Sequence, residues 1–175
     1  MFVVLLTGPP GAGKTVALTA LSDSLVDDGV PHAAVDADEV AWAYPFPDLA
    51  QRCEHLRAWY EPHARAGREL LLVAEVIESP AHLADVLASL GADAHLLVSL
   101  EAAPATLRDR IIAREPPGWH GLAYLLGEVE PLCASLAELE GVHLRLDSER
   151  LGPAQISELV RAARPDILGA GAGRA

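Results

Sequence analysis

The sequence predicts an α/β protein, an open parallel sheet covered by helices on both faces. Three observations carry this. Short, nearly continuous apolar runs, FVVLLT at 2–7, ELLLVAE at 69–75 and AHLLVSL at 94–100, read as strands with no solvent-facing side. They alternate with longer stretches whose apolar residues recur at helical spacing, and strands buried on both faces belong to parallel sheets. The length, 175 residues, suits one domain.

The elements follow in order. Residues 2–7 are a buried strand ended by Gly8. Residues 14–28 place Val16, Ala17, Leu18, Ala20, Leu21 and Leu25 on a helix, with Gly29 as its C-terminal stop. A short strand at 32–35 leads into Asp36-Ala37-Asp38. Residues 49–66 are helical and end at Gly67; 69–75 is the third strand; 80–90 is a helix closed by Gly91. Residues 94–100 are the fourth strand, and 104–114 a helix that ends before Pro116-Pro117-Gly118. Residues 122–139 read as a helix bent at Pro131, 142–146 as a fifth strand, and 153–163 as a last helix. One domain over 1–168 is expected, with a flexible Gly/Ala-rich tail at 169–175. Crossovers in such a sheet are right-handed, and ligands bind beyond the carboxyl ends of its strands.

Composition narrows the partners. The chain is 51% hydrophobic, carries a formal charge of -12 and has a pI near 4.9. Such a surface repels phosphate backbones and anionic lipid heads, so neither nucleic acid nor a membrane is an expected partner. No run reaches the ~18 apolar residues of a span. The opening Met1-Phe2-Val3-Val4-Leu5-Leu6 lacks a basic leader and reads as a buried strand rather than a signal peptide. Cys53 and Cys133 are 80 residues apart with no metal-type spacing. They read as reduced thiols of a cytoplasmic protein, monomeric or homodimeric.

The chemistry starts at residues 8–15. Gly8-Pro9-Pro10-Gly11-Ala12-Gly13-Lys14-Thr15 fits G-x-x-x-x-G-K-[ST] in full, after a strand and before a helix. Glycines at those positions let successive backbone N–H groups form an anion nest, and the helix N-terminus adds its dipole. Lys14 is expected to reach the β- and γ-phosphates of ATP or GTP, and Thr15 to offer its hydroxyl to Mg²⁺. Of the 13 basic residues, 12 are arginines, and Lys14 is the only lysine. A compact ammonium fits between two phosphates in a way a planar guanidinium does not.

Other residues extend the site. If the second strand stays extended through Asp38, Asp36 and Asp38 project to the same side. One carboxylate can organise Mg²⁺ and one can accept an acceptor's hydroxyl proton, and the residues do not say which is which. Alternatively, one of the two caps a helix start at 39–43. Trp42, Tyr44 and Phe46 follow directly; they can line a pocket for a flat or apolar acceptor, or close an edge of the core. Glu75 ends the third strand, where an acidic residue can hold Mg²⁺ or its water; Glu78 is a weaker candidate. Arg110 and Arg114 share a helix face and can neutralise a transferring phosphoryl group, while Arg108 points elsewhere. The segment 115–121 reads as a short lid containing His120, and Asp147-Ser148-Glu149 as a loop against the base. The seven histidines show no transition-metal spacing.

With these residues the chain resembles the P-loop small-molecule kinases: adenylylsulfate kinase-like proteins, chloramphenicol phosphotransferase, shikimate kinase and gluconate kinase. The resemblance covers most of residues 1–165. Asp36-Ala37-Asp38 is similar to the Asp-x-Asp of shikimate kinase, whose first Asp works near Mg²⁺ and whose second contacts the acceptor. In chloramphenicol phosphotransferase a single Asp in this region is the proposed base. Arg110 and Arg114 resemble the paired lid arginines of the group. The resemblance implies a three-layer P-loop NTPase fold with strand order 2-3-1-4-5, ATP and Mg²⁺ as cofactors, and a small-molecule hydroxyl as acceptor. A nucleoside or nucleoside monophosphate kinase, or an ATPase switch with no small-molecule acceptor, are the alternatives. The third strand departs from the usual Walker B pattern, the lid is short, and no adenylylsulfate- or sugar-binding set is evident.

Overall fold

The computed structural model describes residues 1–169. From residue 170 onward, the tail expected at 169–175 lies outside the described residues. Five strands form one sheet in the order β2-β3-β1-β4-β5: β1 (Phe2–Thr7), β2 (Ala33–Asp36), β3 (Leu70–Ala74), β4 (Ala94–Glu101) and β5 (Leu144–Asp147). Every pairing is parallel.

Alternation along the central strands builds two cores. Val4 and Leu6 of β1 face α1 (Lys14–Asp27), α5 (Pro104–Arg114) and α8 (Pro153–Ala163). Val3 and Leu5 face α3 (Leu49–Arg65) and α4 (Pro80–Leu90). All four side chains are fully buried, so β1 runs through the middle of the molecule. Its carboxyl end, where the glycine-rich loop begins, is thereby fixed from both sides. Among the described residues, no helix is long and apolar enough to cross a membrane. Cys53 and Cys133 are free thiols, the first buried.

Three elements differ from expectation, each for a local reason. The second strand stops at Asp36 because the Asp36 carboxylate accepts the Asp38 N–H at 3.2 Å. That bond caps a short helix, α2 (Ala37–Val40), so Asp36 and Asp38 do not continue along one strand face. The helical stretch after the lid breaks at Glu128 into α6 (Leu122–Gly127) and α7 (Val129–Ala137). Pro131 falls in the first turn of α7, where its missing N–H has no intrahelical partner to lose, so no bend forms there. The fifth strand starts late, at Leu144, because the His143 ring accepts the Leu97 N–H at 3.0 Å in place of a backbone carbonyl. A further short helix, α9 (Pro165–Leu168), closes the described chain.

The loop after β1 is seated by contact as well as by conformation. Gly8 has φ 148°, and a Cβ there would lie 2.5 Å from the Leu100 carbonyl oxygen at the end of β4. Gly13 also has positive φ, 90°, but nothing lies within 4 Å of its missing Cβ. Conformation alone costs an L-residue about 1–2 kcal/mol there. Gly13→Ala is therefore expected to lose about 1 kcal/mol of stability, and Gly8→Ala roughly 3 kcal/mol or more, since backbone has to shift as well. Urea unfolding of both variants checks this; equal losses would mean that the close approach to β4 is not what holds the loop.

Candidate active site

The loop 8–15 wraps the start of α1. Gly13 is the N-cap residue and provides no side-chain cap, so the first N–H groups of α1 stay open toward the loop's concave side. Lys14 folds back over the loop, its Nζ donating to the Gly8 carbonyl at 2.8 Å and the Pro9 carbonyl at 3.4 Å. Desolvation pushes its ammonium below the ordinary lysine value, against the pull of Asp38, Asp36 and Glu75. It is a strongly desolvated cation held by two neutral oxygens, which an anion can replace to advantage.

The turn at Asp36 sends the two aspartates to different neighbours. Asp36 Oδ2 accepts the Thr15 hydroxyl at 2.6 Å. Asp38 Oδ1 accepts from Arg52 Nη2 at 3.1 Å. The same Arg52 nitrogen donates to both oxygens of Glu75, at 2.7 and 2.8 Å. Glu75 stands at the end of β3, its side chain 3% exposed, and also accepts the Val76 N–H at 3.0 Å. Burial pushes the Glu75 carboxyl up, and Arg52 pulls it partly back. For Arg52, desolvation works downward, but its bonds to Glu75 and then Asp38 outweigh it, and the net shift is upward. Glu75 is thus committed to a guanidinium. Arg52 is the component that reading the sequence for site residues missed. Its signal was indirect: a carboxylate ending a strand of leucines needs a buried cation, and the lone lysine is committed to the loop.

The two arginines of α5 also separate. Arg110 ties the glycine-rich loop to the segment after β5, donating to the Gly11 carbonyl at 3.2 Å, the Ser148 hydroxyl at 3.0 Å and the Ser148 carbonyl at 2.8 Å. Arg114, one turn on, pairs only with its neighbour Glu115, at 2.7 Å, and is largely exposed. Arg108 pairs with Glu130 across to α7, away from the loop. His120 is exposed in the 115–121 segment. Trp42, Tyr44 and Phe46 do not close the core: they are 87%, 91% and 83% exposed, and they line neither of the two cavities at this centre.

Two cavities meet at this centre. One, of about 780 Å³, runs along the glycine-rich loop between Lys14, Thr15, Asp36, Arg110, Arg114 and the 148–153 segment. The other, of about 600 Å³, lies beside Arg52, Glu75, Glu78, His82 and Tyr124. Pro10, Asp38, Val76 and Leu125 line both. Among the described residues no group of three or more His, Cys, Asp or Glu is arranged to hold a metal. The donors nearest the loop, the Thr15 hydroxyl and the Asp36 carboxylate, are hard oxygens. They fit Mg²⁺ shared with phosphates and water rather than an all-protein metal cage.

Solved structures of similar shape agree with this architecture. A sugar kinase from Janibacter sp. HTCC2649 matches with a TM-score of 0.67, over 97% of this chain and 96% of that one, at 20% identity. The fold is that of the P-loop small-molecule kinases. The Mycobacterium tuberculosis APS kinase CysC, solved in complex with AMPPNP and APS, matches with a TM-score of 0.58 over 92% of this chain and 95% of that one, again at 20% identity. No protein-family model matches the sequence, and no curated protein matches it. At such identities the likeness is one of fold, and any activity has to be read from this chain's own side chains.

The Arg52–Glu75 pair gives a test of how the centre is held. Arg52→Ala leaves the Glu75 carboxylate buried without its cation, a loss of about 3–5 kcal/mol. The loss depends on pH. Glu75 has a folded pKa raised above its unfolded value, so its contribution is fully present below the unfolded carboxyl pKa, about 4.3, and disappears as pH rises through the folded one. Without Arg52 that folded value climbs further. The variant is expected to lie closest to the parent protein in stability at acid pH and to fall behind toward neutral. Urea unfolding across that range checks it; a pH-independent difference would mean another group is left stranded.

Proposed function

We propose that the protein is an ATP- and Mg²⁺-dependent phosphotransferase that delivers the γ-phosphoryl group to a hydroxyl of a small molecule. The observation that carries this is the junction of the two cavities at Asp38. A nucleotide lying along the loop ends its phosphate chain there, and a second molecule in the adjoining cavity meets it from the other side. An ATPase switch has no need of that second cavity.

The roles divide as the contacts do. Backbone N–H groups of residues 8–15 and the Lys14 ammonium take the phosphates, Lys14 exchanging its bonds to Gly8 and Pro9 for phosphate oxygens. Thr15 and Asp36 are the oxygen donors that would hold Mg²⁺ or its waters. When bound, that ion supplies positive charge to the β- and γ-phosphate oxygens. Asp38, standing on both cavities, orients the acceptor hydroxyl and takes its proton as the acceptor oxygen bonds to the γ-phosphorus. The bond from that phosphorus to the bridging oxygen breaks, and ADP carries the electron pair away. Arg114, free of any long-range partner, can swing to the transferring group. Arg110 holds the loop against the segment after β5 and so shapes the wall of the cavity along the loop.

The experiment is phosphoryl transfer from γ-labelled ATP with Mg²⁺ to hydroxyl acceptors, with Lys14→Ala as the inactive reference. Asp38→Asn is expected to lower kcat by about 10²–10⁴-fold while KM for ATP stays within a few-fold. Asp36→Asn is expected to raise the Mg²⁺ concentration needed for half-maximal rate. Matching losses in turnover and in ATP affinity for Asp38→Asn would remove it from the acceptor side. Slow phosphate release indifferent to every acceptor would favour the switch instead.

A further inference from the structure

The second cavity has a charge that selects its occupant. Four carboxylates line it, those of Asp38, Glu75, Glu78 and Glu128, against one guanidinium, Arg52. That guanidinium is already committed to Glu75 and Asp38. Among the described residues, Glu78 and Glu128 have no ion-pair partner, although both stand on the cavity wall. A phosphate, sulfate or carboxylate group on the acceptor would enter a space already carrying excess negative charge, with its only cation taken. An ammonium would find two unpaired carboxylates. The whole-chain charge of -12 acts in the same direction, drawing cations toward the surface and turning anions away.

We infer that the acceptor is a cationic hydroxyl compound, an amino sugar or amino cyclitol. Its ammonium lies toward Glu78 and Glu128, and its reactive hydroxyl is presented to Asp38. This rests on the phosphotransferase reading and narrows it: nucleoside monophosphates, adenylylsulfate and sugar acids carry the wrong charge for this cavity.

Acceptors matched in shape and differing in charge provide the test. With γ-labelled ATP and Mg²⁺, glucosamine is compared with N-acetylglucosamine and glucuronate, and 2-deoxystreptamine with its N-acetylated form and quinate. The amine of each set is expected to be used at least about tenfold better in kcat/KM than its neutral twin, one charged hydrogen bond's worth. The anion is expected not to be used. Glu78→Gln and Glu128→Gln are expected to raise KM for the amine about tenfold each and to narrow the amine-over-acetyl preference by the same factor. Preference for the neutral or anionic member overturns the charge assignment and leaves the phosphotransferase reading standing. Transfer to no member, with ATP hydrolysis unmoved by all of them, overturns both together.

Discussion

Glu75 ends a strand of leucine, valine and alanine, buried on both faces, and a carboxylate in that position has to be answered by a cation. The answer is Arg52, from the first turn of α3, with both Glu75 oxygens on one guanidinium nitrogen. Much of the site follows from that pair. It docks the N-terminal end of α3 against the carboxyl end of β3, a placement the Asp48–Gln51 capping box also favours by fixing where α3 begins. It holds Asp38 through the same nitrogen, so α2 cannot turn its carboxylate elsewhere. It also spends the cavity's only guanidinium, leaving the remaining carboxylates to set the character of the space. A buried ion pair is a poor source of stability, because desolvating two charges offsets most of their attraction. Here its value is positional: it brings α2, α3 and β3 to one point, next to where the phosphate chain would end.

The same economy separates residues that the sequence presents as pairs. Asp36 and Asp38 are two positions apart, yet one turn of backbone gives them different neighbours and, in the proposed reaction, different work. The Asp36 cap on α2 makes this turn, so a single carboxylate both ends the strand and faces Thr15. Arg110 and Arg114 share a helix face, but Arg110 is anchored at three oxygens and Arg114 at none beyond its neighbour. An arginine held that firmly is a strut, and one that is loosely held is free to follow a substrate. Division of labour thus arises from the partners available one turn apart.

The parts of the fold legible in the sequence were those written in local signals. The glycine-rich loop was legible because its spacing, the strand before it and the helix after it are all contiguous. Helices α4, α5 and α8 were legible to the residue, since each begins on a proline at its first position. What was not legible depended on where one side chain turned. Whether Asp36 continues a strand or bends back to its own backbone is a small difference between hydrogen bonds. Whether a helix breaks at Glu128 or bends at Pro131 depends on which turn the proline occupies. Arg52 and Glu75 are 23 residues apart, and only the sheet brings them together. The aromatics after Asp38 had the composition of a pocket wall but neither the helical nor the strand periodicity that would have aimed them inward.

The electrostatics of the centre tie these parts together. Lys14 is a single ammonium crowded by loop carbonyls, with Asp38, Asp36 and Glu75 the carboxylates that act on it. Those carboxylates oppose the desolvation that pushes its ammonium below the ordinary lysine value, and they also repel any polyanion that approaches. In the proposed reaction the Mg²⁺ complex of the nucleotide would add its positive charge to that of Lys14, Arg110 and Arg114, which line the cavity along the loop. The same reasoning holds on the far side of Asp38. An acceptor that added negative charge would compete with the carboxylates for the one ammonium and the one guanidinium, both already engaged. An acceptor that added positive charge would relieve them, leaving Lys14 free to follow the phosphates. In the proposed reaction the acidic surroundings thus act on both substrates in the same sense, favouring a nucleotide that comes with Mg²⁺ and an acceptor that carries positive charge.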